Sequence, residues 1–253
     1  SGAVGSYSNE VAQRVKSYDS EIGYVDKYIG ELLDRFDEHG LTDNTLVVLV
    51  ADHGEGLGEH GFVGHGRWLT ESVVHVPWVI KLSGRIKPGT VIEQNVSTLD
   101  LAPTILDLAV PEYRKQSEIV VSFAGRSQAK AITEQAKPTQ RTVRYVSFSG
   151  KKGFAPGWLS WMWIDSGSMP LKMGKVEGTM KTIWAPGNDE FRIYDLAADP
   201  FEFNPKELTP RDQRYKFEMA AFERWYETTD LEKHAARLTK RDAKILESLG
   251  YIQ

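Results

Sequence analysis

An aspartate and a histidine stand side by side at the end of a short apolar run. The run, Leu46–Ala51, is followed by Gly54, a pattern typical of a buried strand that ends in a turn. Ligand sites of open α/β sheets lie just past such strand ends. A carboxylate and an imidazole together suit a divalent cation, although Ca²⁺ prefers oxygen ligands alone. Asp52 and His53 are therefore candidate metal ligands; the alternative is a hydrogen-bonded pair that closes a loop.

A second histidine, His65, stands between two glycines later in the same loop. Flanking glycines let a backbone approach a ligand closely and leave an imidazole accessible. The side chain is a candidate hydrogen-bond donor to an anionic oxygen, or a proton donor to a leaving group. The alternative is an ordinary exposed loop histidine. Glu55 and Glu59 could accept a hydrogen bond from a histidine N–H, or could be solvated loop charges.

Other polar residues of this region carry weaker signals. We interpret His75, which directly precedes a second apolar run, as a packing residue. Glu71 is interpreted as a local cap or a local ion-pair partner. His60 is a weaker candidate than His65.

The elements that must position these side chains follow a helix–strand–loop–strand order. From Glu10 to Glu38, apolar residues recur at steps of three and four, which predicts a helix with one apolar stripe. The run Leu46–Ala51 predicts the first strand, and Val76–Leu82 predicts the second. A shorter helix is predicted over Thr98–Leu108, capped by Ser97 or Thr98. This order is typical of an α/β unit.

The sequence pattern changes near Lys137, where we place a domain boundary. Polar and apolar residues alternate over Arg141–Ser149 and Met169–Trp184, and Phe191–Leu196 is another short apolar run. These patterns together predict an antiparallel sheet. A final helix is predicted over Glu218–Leu246, because this stretch contains no Gly or Pro.

Three tryptophans cluster at Trp158, Trp161 and Trp163. Such a cluster could form a stacking platform for a sugar or an aryl group. The interpretation that we favour is the core of the small sheet.

Composition excludes several classes of protein. The chain has 253 residues, and its net charge of −4 gives no general signal for nucleic acid or an anionic membrane. It contains no apolar run of about 18 residues, so the sequence predicts no transmembrane helix. The absence of cysteine excludes disulfides, thiolate metal ligands and a cysteine nucleophile.

Several ordered motifs resemble the sulfatase family of the alkaline phosphatase superfamily. They are GLTDNTLVVLVADHGEGLGEHG, GHGRWLTESVVHVPWVIKLSG, STLDLAPTILDLA, FRIYDLAADPFEFNP and the final LESLGY. The resemblance covers most of the chain. The chain is similar to the C-terminal half of such an enzyme. It implies part of an alkaline-phosphatase-like three-layer α/β/α core over residues 1–137. A small α+β subdomain, an antiparallel sheet with a C-terminal helix, would follow over residues 138–253.

The resemblance also implies roles for three side chains. Asp52 and His53 match the family's two late metal ligands, with Ca²⁺ as the first choice and Mn²⁺ or Zn²⁺ as alternatives. His65 falls where many members carry a lysine that contacts the sulfate and the leaving-group oxygen. The substrate would be a sulfated small molecule or glycan, and the location periplasmic or secreted. The Asp-His pair is also similar to phosphonate and phosphodiester hydrolases, so the choice between sulfate and phosphate stays open.

The sequence departs from the family pattern at the nucleophile. Family members form formylglycine from the Cys or Ser of a C/S-x-P-x-R motif, which this sequence lacks, and 51 residues precede Asp52. We therefore expect an isolated chain that is inactive, holds metal weakly and exposes a sheet edge. That edge predicts a partner, either a missing N-terminal half or a second copy. The competing hypothesis is a non-catalytic module that binds a glycan or a partner chain.

Overall fold

The computed structural model describes residues 9–112, 123–134, 136, 140–148, 170–186 and 190–228. The chain divides into two compact units. The first unit comprises residues 1–65 and 72–143, and the second comprises residues 66–71 and 144–253. The functional division predicted between residues 137 and 138 stays a prediction. The predicted tryptophan cluster, Trp158, Trp161 and Trp163, lies outside the described residues.

The first unit combines helices with two short antiparallel strand pairs. Strand β1 pairs with β4 in the register Val47↔Lys81 to Val50↔Trp78, and β2 pairs with β3. The elements in chain order are α1 (Asn9–Glu38), β1 (Val47–Val50), β2 (Gly56–Leu57), β3 (Val63–Gly64), α2 (Glu71–Val74), β4 (Trp78–Lys81), α3 (Leu101–Ala109) and α4 (Ala129–Glu134).

The long helix α1 follows the predicted apolar period, but none of its described residues is buried. Ile22, Val25 and Leu32, which lie on its apolar stripe, each leave about half of their surface exposed. The prediction of a buried strand over Leu46–Ala51 is wrong for the described residues. Strand β1 is only half-buried because the described chain pairs it with β4 alone.

A small core and one buried carboxylate hold α3 in place. Leu82, Leu108 and Ala129 form a buried apolar cluster in the first unit. Ser97 caps the turn before α3, as the sequence predicts, in a reciprocal box with Asp100. The fully buried Asp100 carboxylate also forms an ion pair with Arg141 at 2.9 Å. This pairing satisfies a charge that would otherwise be costly to bury.

The second unit is built on a five-stranded sheet in the order β5-β6-β7-β8-β9, whose last four strands pair antiparallel. This result confirms the predicted antiparallel sheet. The elements are β5 (Thr142–Phe148), β6 (Pro170–Glu177), β7 (Met180–Ala185), β8 (Glu190–Asp195), β9 (Lys206–Leu208) and α5 (Gln213–Thr228). The predicted single stretch Met169–Trp184 is two strands, because a turn at Gly178 separates β6 from β7.

Helix α5 packs on one face of this sheet. Tyr215 and Phe222 of α5 join Trp184 and Phe191 in a buried cluster, in which the Phe191 and Tyr215 ring centroids lie 4.9 Å apart. The helix begins at Gln213 rather than at the predicted Glu218. Its start follows a turn in which the Asp212 carboxylate accepts hydrogen bonds from the backbone and hydroxyl of Thr209. The predicted continuation of the helix to Leu246 lies outside the described residues.

No described helix combines the length and apolarity that crossing a bilayer requires.

Candidate functional site

Asp52 and His53 meet directly after β1. The Asp52 Oδ1 atom accepts a hydrogen bond from the backbone N–H of His53 at 2.9 Å. The Asp52 Oδ2 atom lies 3.7 Å from Nε2 of the His53 ring. Both side chains are accessible, with 61% of the aspartate and 39% of the histidine exposed. Adjacent residues of an extended strand would point to opposite faces, so the chain must turn here to bring them together.

The tautomer of His53 follows from its second contact. Its Nδ1 atom lies 2.8 Å from the carbonyl oxygen of Gly54. A carbonyl only accepts hydrogen bonds, so Nδ1 carries the proton in the neutral ring and Nε2 presents its lone pair. A backbone carbonyl bound to the other ring nitrogen is the usual support of a metal-binding imidazole. Oδ2 and Nε2 are close enough to bind one ion through two bonds of about 2.2 Å. The two residues therefore fit a divalent cation.

Gly54 makes the turn after His53 possible. Its N–H donates to the carbonyl of Val73 in α2 at 2.8 Å, which holds the loop against this helix. A Cβ at position 54 would overlap the carbonyl oxygen of Ser72. Only glycine fits this close backbone approach.

A two-stranded ribbon brings His65 to Glu55. Gly56 of β2 pairs with Gly64 of β3, so Glu55 and His65 flank the same end of the ribbon. The His65 Nδ1 atom lies 2.6 Å from Glu55 Oε2. A carboxylate accepts the hydrogen bond, so Nδ1 is the donor and Nε2 is the ring's remaining nitrogen. The prediction that Glu55 could accept from a histidine N–H is confirmed.

The two histidines lie face to face. The rings of His53 and His65 stack with centroids 3.9 Å apart and planes inclined by 28°. Ligand atoms of His53, Glu55 and His65 lie within 4.8 Å of one another. Lone pairs of imidazole lie in the ring plane, so in stacked rings they run side by side rather than converge. This arrangement fits the pair of Asp52 and His53 better than a chelate that includes both rings.

The remaining candidates have structural contacts. Glu59 accepts a hydrogen bond from the backbone N–H of Leu57 at 2.8 Å and so braces the loop. The His60 ring stacks on Phe62 with centroids 6.3 Å apart. His75 is exposed, so the prediction that it is a packing residue is wrong.

Glu71 has a distant ion-pair partner, which the sequence did not indicate. Its carboxylate forms an ion pair with Lys181, 110 residues along the chain. Sequence reasoning missed this pair because no local pattern marks a contact over such a separation. Lys181 lies within the alternating stretch that predicts a strand, and a lysine that is buried in a strand requires a partner.

Comparison with known proteins gives a consistent result. The family model described as Sulfatase matches residues 3–111. An N-acetylglucosamine-6-O-sulfatase of Bacteroides thetaiotaomicron is 25% identical over 93% of this chain and 40% of its own length. A choline-sulfatase of Rhizobium meliloti is 26% identical over 82% of this chain and 36% of its own length.

A solved structure of similar fold is the phosphonate monoester hydrolase of Silicibacter pomeroyi. It superposes with a TM-score of 0.60 and 24% identity over 85% of this chain and 40% of that one. This likeness confirms the predicted fold class, an alkaline-phosphatase-like α/β portion followed by a small antiparallel sheet and a helix. The chain spans about two fifths of the length of these proteins. Together these matches support a protein of the sulfatase family, within the alkaline phosphatase superfamily, that covers only part of that family's fold.

Proposed function

We propose that this chain is the C-terminal portion of a metal-dependent hydrolase of sulfate esters. The proposal rests on one loop, which brings together a candidate metal-binding pair and a histidine that could contact substrate. Asp52 Oδ2 and His53 Nε2 lie 3.7 Å apart, and His65 is held beside them by Glu55. The nucleophile would come from a preceding part of the sulfatase fold, as the resemblance implies.

Asp52 and His53 would hold the cation. Ca²⁺ is our first choice, with Mn²⁺ or Zn²⁺ as alternatives, because the donor set contains both oxygen and nitrogen. When bound, the cation would polarise the nucleophile and offset negative charge on the group being transferred. The Asp52 carboxylate supplies the compensating charge of this half of the site. With only two ligands from this chain, we expect the isolated chain to bind a cation weakly.

His65 would act on the leaving-group oxygen. Glu55 accepts from Nδ1, which fixes the ring orientation, and Nε2 would interact with substrate. A protonated Nε2 can donate its proton to an alkoxide as the ester bond breaks. Gly64 and Gly66, whose φ angles are +106° and +85°, hold the residue between them on an accessible turn.

The uncovered apolar surface of the first unit supports the proposal that a partner binds there. Ile22, Val25 and Leu32 of α1 are each about half exposed, and Leu49 and Val79 of the β1–β4 pair are exposed as well. Apolar stripes of this kind normally pack against another layer. We propose that the nucleophile-bearing portion of the sulfatase fold covers them, and that self-association is the competing arrangement.

Phosphonate or phosphodiester hydrolysis is the second candidate. It is favoured by the histidine next to Asp52 and by the similar fold of a phosphonate monoester hydrolase. A glycan sulfate is favoured by the relative named as an N-acetylglucosamine-6-O-sulfatase. A non-catalytic module that binds a glycan or a partner chain would keep the fold without turnover of any of these substrates.

Complementation tests this proposal. The chain is co-expressed with a nucleophile-bearing N-terminal portion of a sulfatase-family enzyme. The assembled protein is then assayed with 4-nitrophenyl sulfate, glucosamine 6-sulfate, a phosphodiester and a phosphonate monoester. We expect no turnover by the chain alone and sulfate release by the complex. Preference for phosphorus esters would instead establish the second candidate.

A matched variant separates assembly from chemistry. The double substitution Ile22→Gln and Leu32→Gln lies on the exposed stripe of α1, far in sequence from the loop that carries Asp52. We expect it to abolish co-purification of the two portions. Assembly without turnover of any ester would overturn the catalytic proposal and leave the binding module.

A further inference from the structure

The six residues that directly follow His65 are built into the second unit, although the chain on both sides belongs to the first. Leu69 and Thr70 are buried. Lys172 Nζ lies 3.7 Å from the centroid of the Trp68 ring, and Ser147 Oγ donates to the carbonyl of Arg67 at 3.4 Å. The segment Gly66–Glu71, here called the anchor segment, is therefore held at several points along its length.

The last residue of the anchor segment has the strongest contacts. The carboxylate of Glu71 accepts from Lys181 Nζ at 2.7 Å, and its backbone N–H donates to Glu202 Oε2 at 2.6 Å. Lys181 also forms an ion pair with Glu202 Oε1 at 2.8 Å. Glu202 thus holds the backbone of Glu71 directly, and Lys181 holds its side chain.

This cluster is buried and charged. The side chains of Lys181 and Glu202 are fully buried, and that of Glu71 is 21% exposed. Removing one member of a buried ion pair leaves an uncompensated charge, whereas an intact group with good geometry is tolerated. The contacts of Lys181 therefore fix where Glu71 can lie.

The residue that holds Glu71 is itself in a strained conformation. Glu202 has a φ of +56°, and it is the one residue other than glycine with a positive φ among the described residues. The Asp199 carboxylate accepts hydrogen bonds from the backbone N–H groups of Phe203 and Asn204 and so holds this turn in place. Strain of this kind persists where the surrounding structure imposes it, and it is common where a residue is held for a function.

We propose that Lys181 is a positioning residue for His65, a role that rests on the function proposed for His65. Lys181 and Glu202 fix the anchor segment, whose first residue, Gly66, is joined to His65 by a peptide bond. A histidine between two glycines has little conformational restraint of its own. The contact with Glu55 restrains the His65 side chain, and the anchor segment restrains the backbone that follows it.

The test is NMR relaxation on the full chain labelled with ¹⁵N, which needs no substrate and no metal. Lys181→Met removes the buried ammonium and keeps most of the side-chain volume. We expect the order parameter of the His65 amide to fall from the range of a rigid backbone, about 0.85, to below about 0.6. We also expect the imidazole ¹⁵N signals of His65 to lose the shift produced by the Glu55 hydrogen bond.

The chain offers a matched control. Lys175 on β6 forms an ion pair with Glu218 at 2.6 Å, and both side chains are largely buried. Lys175→Met removes an equivalent ion pair from the same sheet without touching the anchor segment. We expect its His65 signals to match those of the wild-type chain. Equal changes in both variants would indicate general loosening and would overturn the proposal.

A milder variant keeps the proposal testable if Lys181→Met does not fold. Lys172→Met removes the cation above Trp68 and leaves the buried ion pairs intact. It should change the His65 signals in the same direction by a smaller amount. Unchanged His65 signals in the folded variants would refute the positioning role, whatever the outcome of complementation. Conversely, an inactive complex would refute the catalytic proposal and leave the NMR result standing.

Discussion

The two imidazoles of the candidate site are held by different hydrogen-bond acceptors. A carbonyl holds the Nδ1 proton of His53, and a carboxylate accepts from Nδ1 of His65. In both neutral rings the proton therefore lies on Nδ1. The two histidines differ in their neighbours, since Asp52 Oδ2 lies 3.7 Å from the His53 ring and Glu55 Oε2 lies 2.6 Å from the His65 ring. On this basis we propose that His53 is a metal ligand and that His65 is a proton donor.

Replacement of His65 tests the second role. In the complemented enzyme we expect His65→Ala to lower kcat by about 10²- to 10⁴-fold for alkyl esters, whose leaving groups need a proton. The loss should be much smaller for nitrophenyl esters, which leave without one. His65→Lys should retain more activity than the alanine variant, because an ammonium can also donate. Equal losses for both ester types would contradict a proton-donating role.

Gly54 provides a test of the turn that joins Asp52 to His53. Gly54→Ala forces a Cβ against the carbonyl of Ser72. We expect it to lower the free energy of unfolding by about 1–3 kcal/mol, as measured by urea denaturation. Gly30→Ala is the control, because no atom lies near its added Cβ on α1 and alanine favours a helix by about 1 kcal/mol. A tolerated Gly54→Ala would show that the backbone approach is not tight.

At the scale of elements, sequence patterns gave the best predictions for structures that interactions between neighbouring residues determine. The apolar period predicted α1 almost to the residue, and Ser97 caps the turn before α3 as expected. The predicted burial of β1 was wrong, because burial depends on which layers cover a strand and not on the strand itself. The start of α5 was misplaced, because the Asp212 turn determines it.

A tyrosine in the sheet of the second unit is expected to make the stability of the fold depend on pH in the alkaline range. Burial, followed by the charges of Glu71 and Glu202, raises the pKa of the Tyr145 phenol well above its ordinary value. Above about pH 10 the phenol therefore ionises in the unfolded chain while it stays neutral in the fold. The contribution of the neutral phenol to the free energy of unfolding is fully present below that pH and is lost as the pH rises.

Urea denaturation at several pH values between about 8 and 11 would measure this loss. Tyr145→Phe cannot ionise, so its free energy of unfolding should fall less steeply over this range than that of the wild-type chain. Some dependence should remain, because burial also raises the pKa of Tyr194. Identical slopes for the two proteins would contradict the buried position of the phenol.

At the scale of the whole molecule, this chain spans about two fifths of the length of the relatives that it matches. The residues that sequence reasoning selected, Asp52, His53 and His65, lie together in one loop. Their roles stay predictions. The sequence did not indicate that Glu71 contacts Lys181, since that contact depends on a sheet formed more than 100 residues later. Local motifs therefore predicted the candidate site, whereas they gave no indication of the contacts between distant residues that hold Glu71.

The measurement that tests the account most directly is a Mn²⁺ titration of the purified chain, followed by NMR. A bound Mn²⁺ ion broadens the signals of nearby nuclei, so even a dissociation constant of about a millimolar is detectable. We predict selective broadening of the His53 imidazole at Nε2, lost in Asp52→Ala and retained in His65→Ala. Broadening that is absent at His53, or that survives in Asp52→Ala, would contradict the assignment of these two residues as metal ligands.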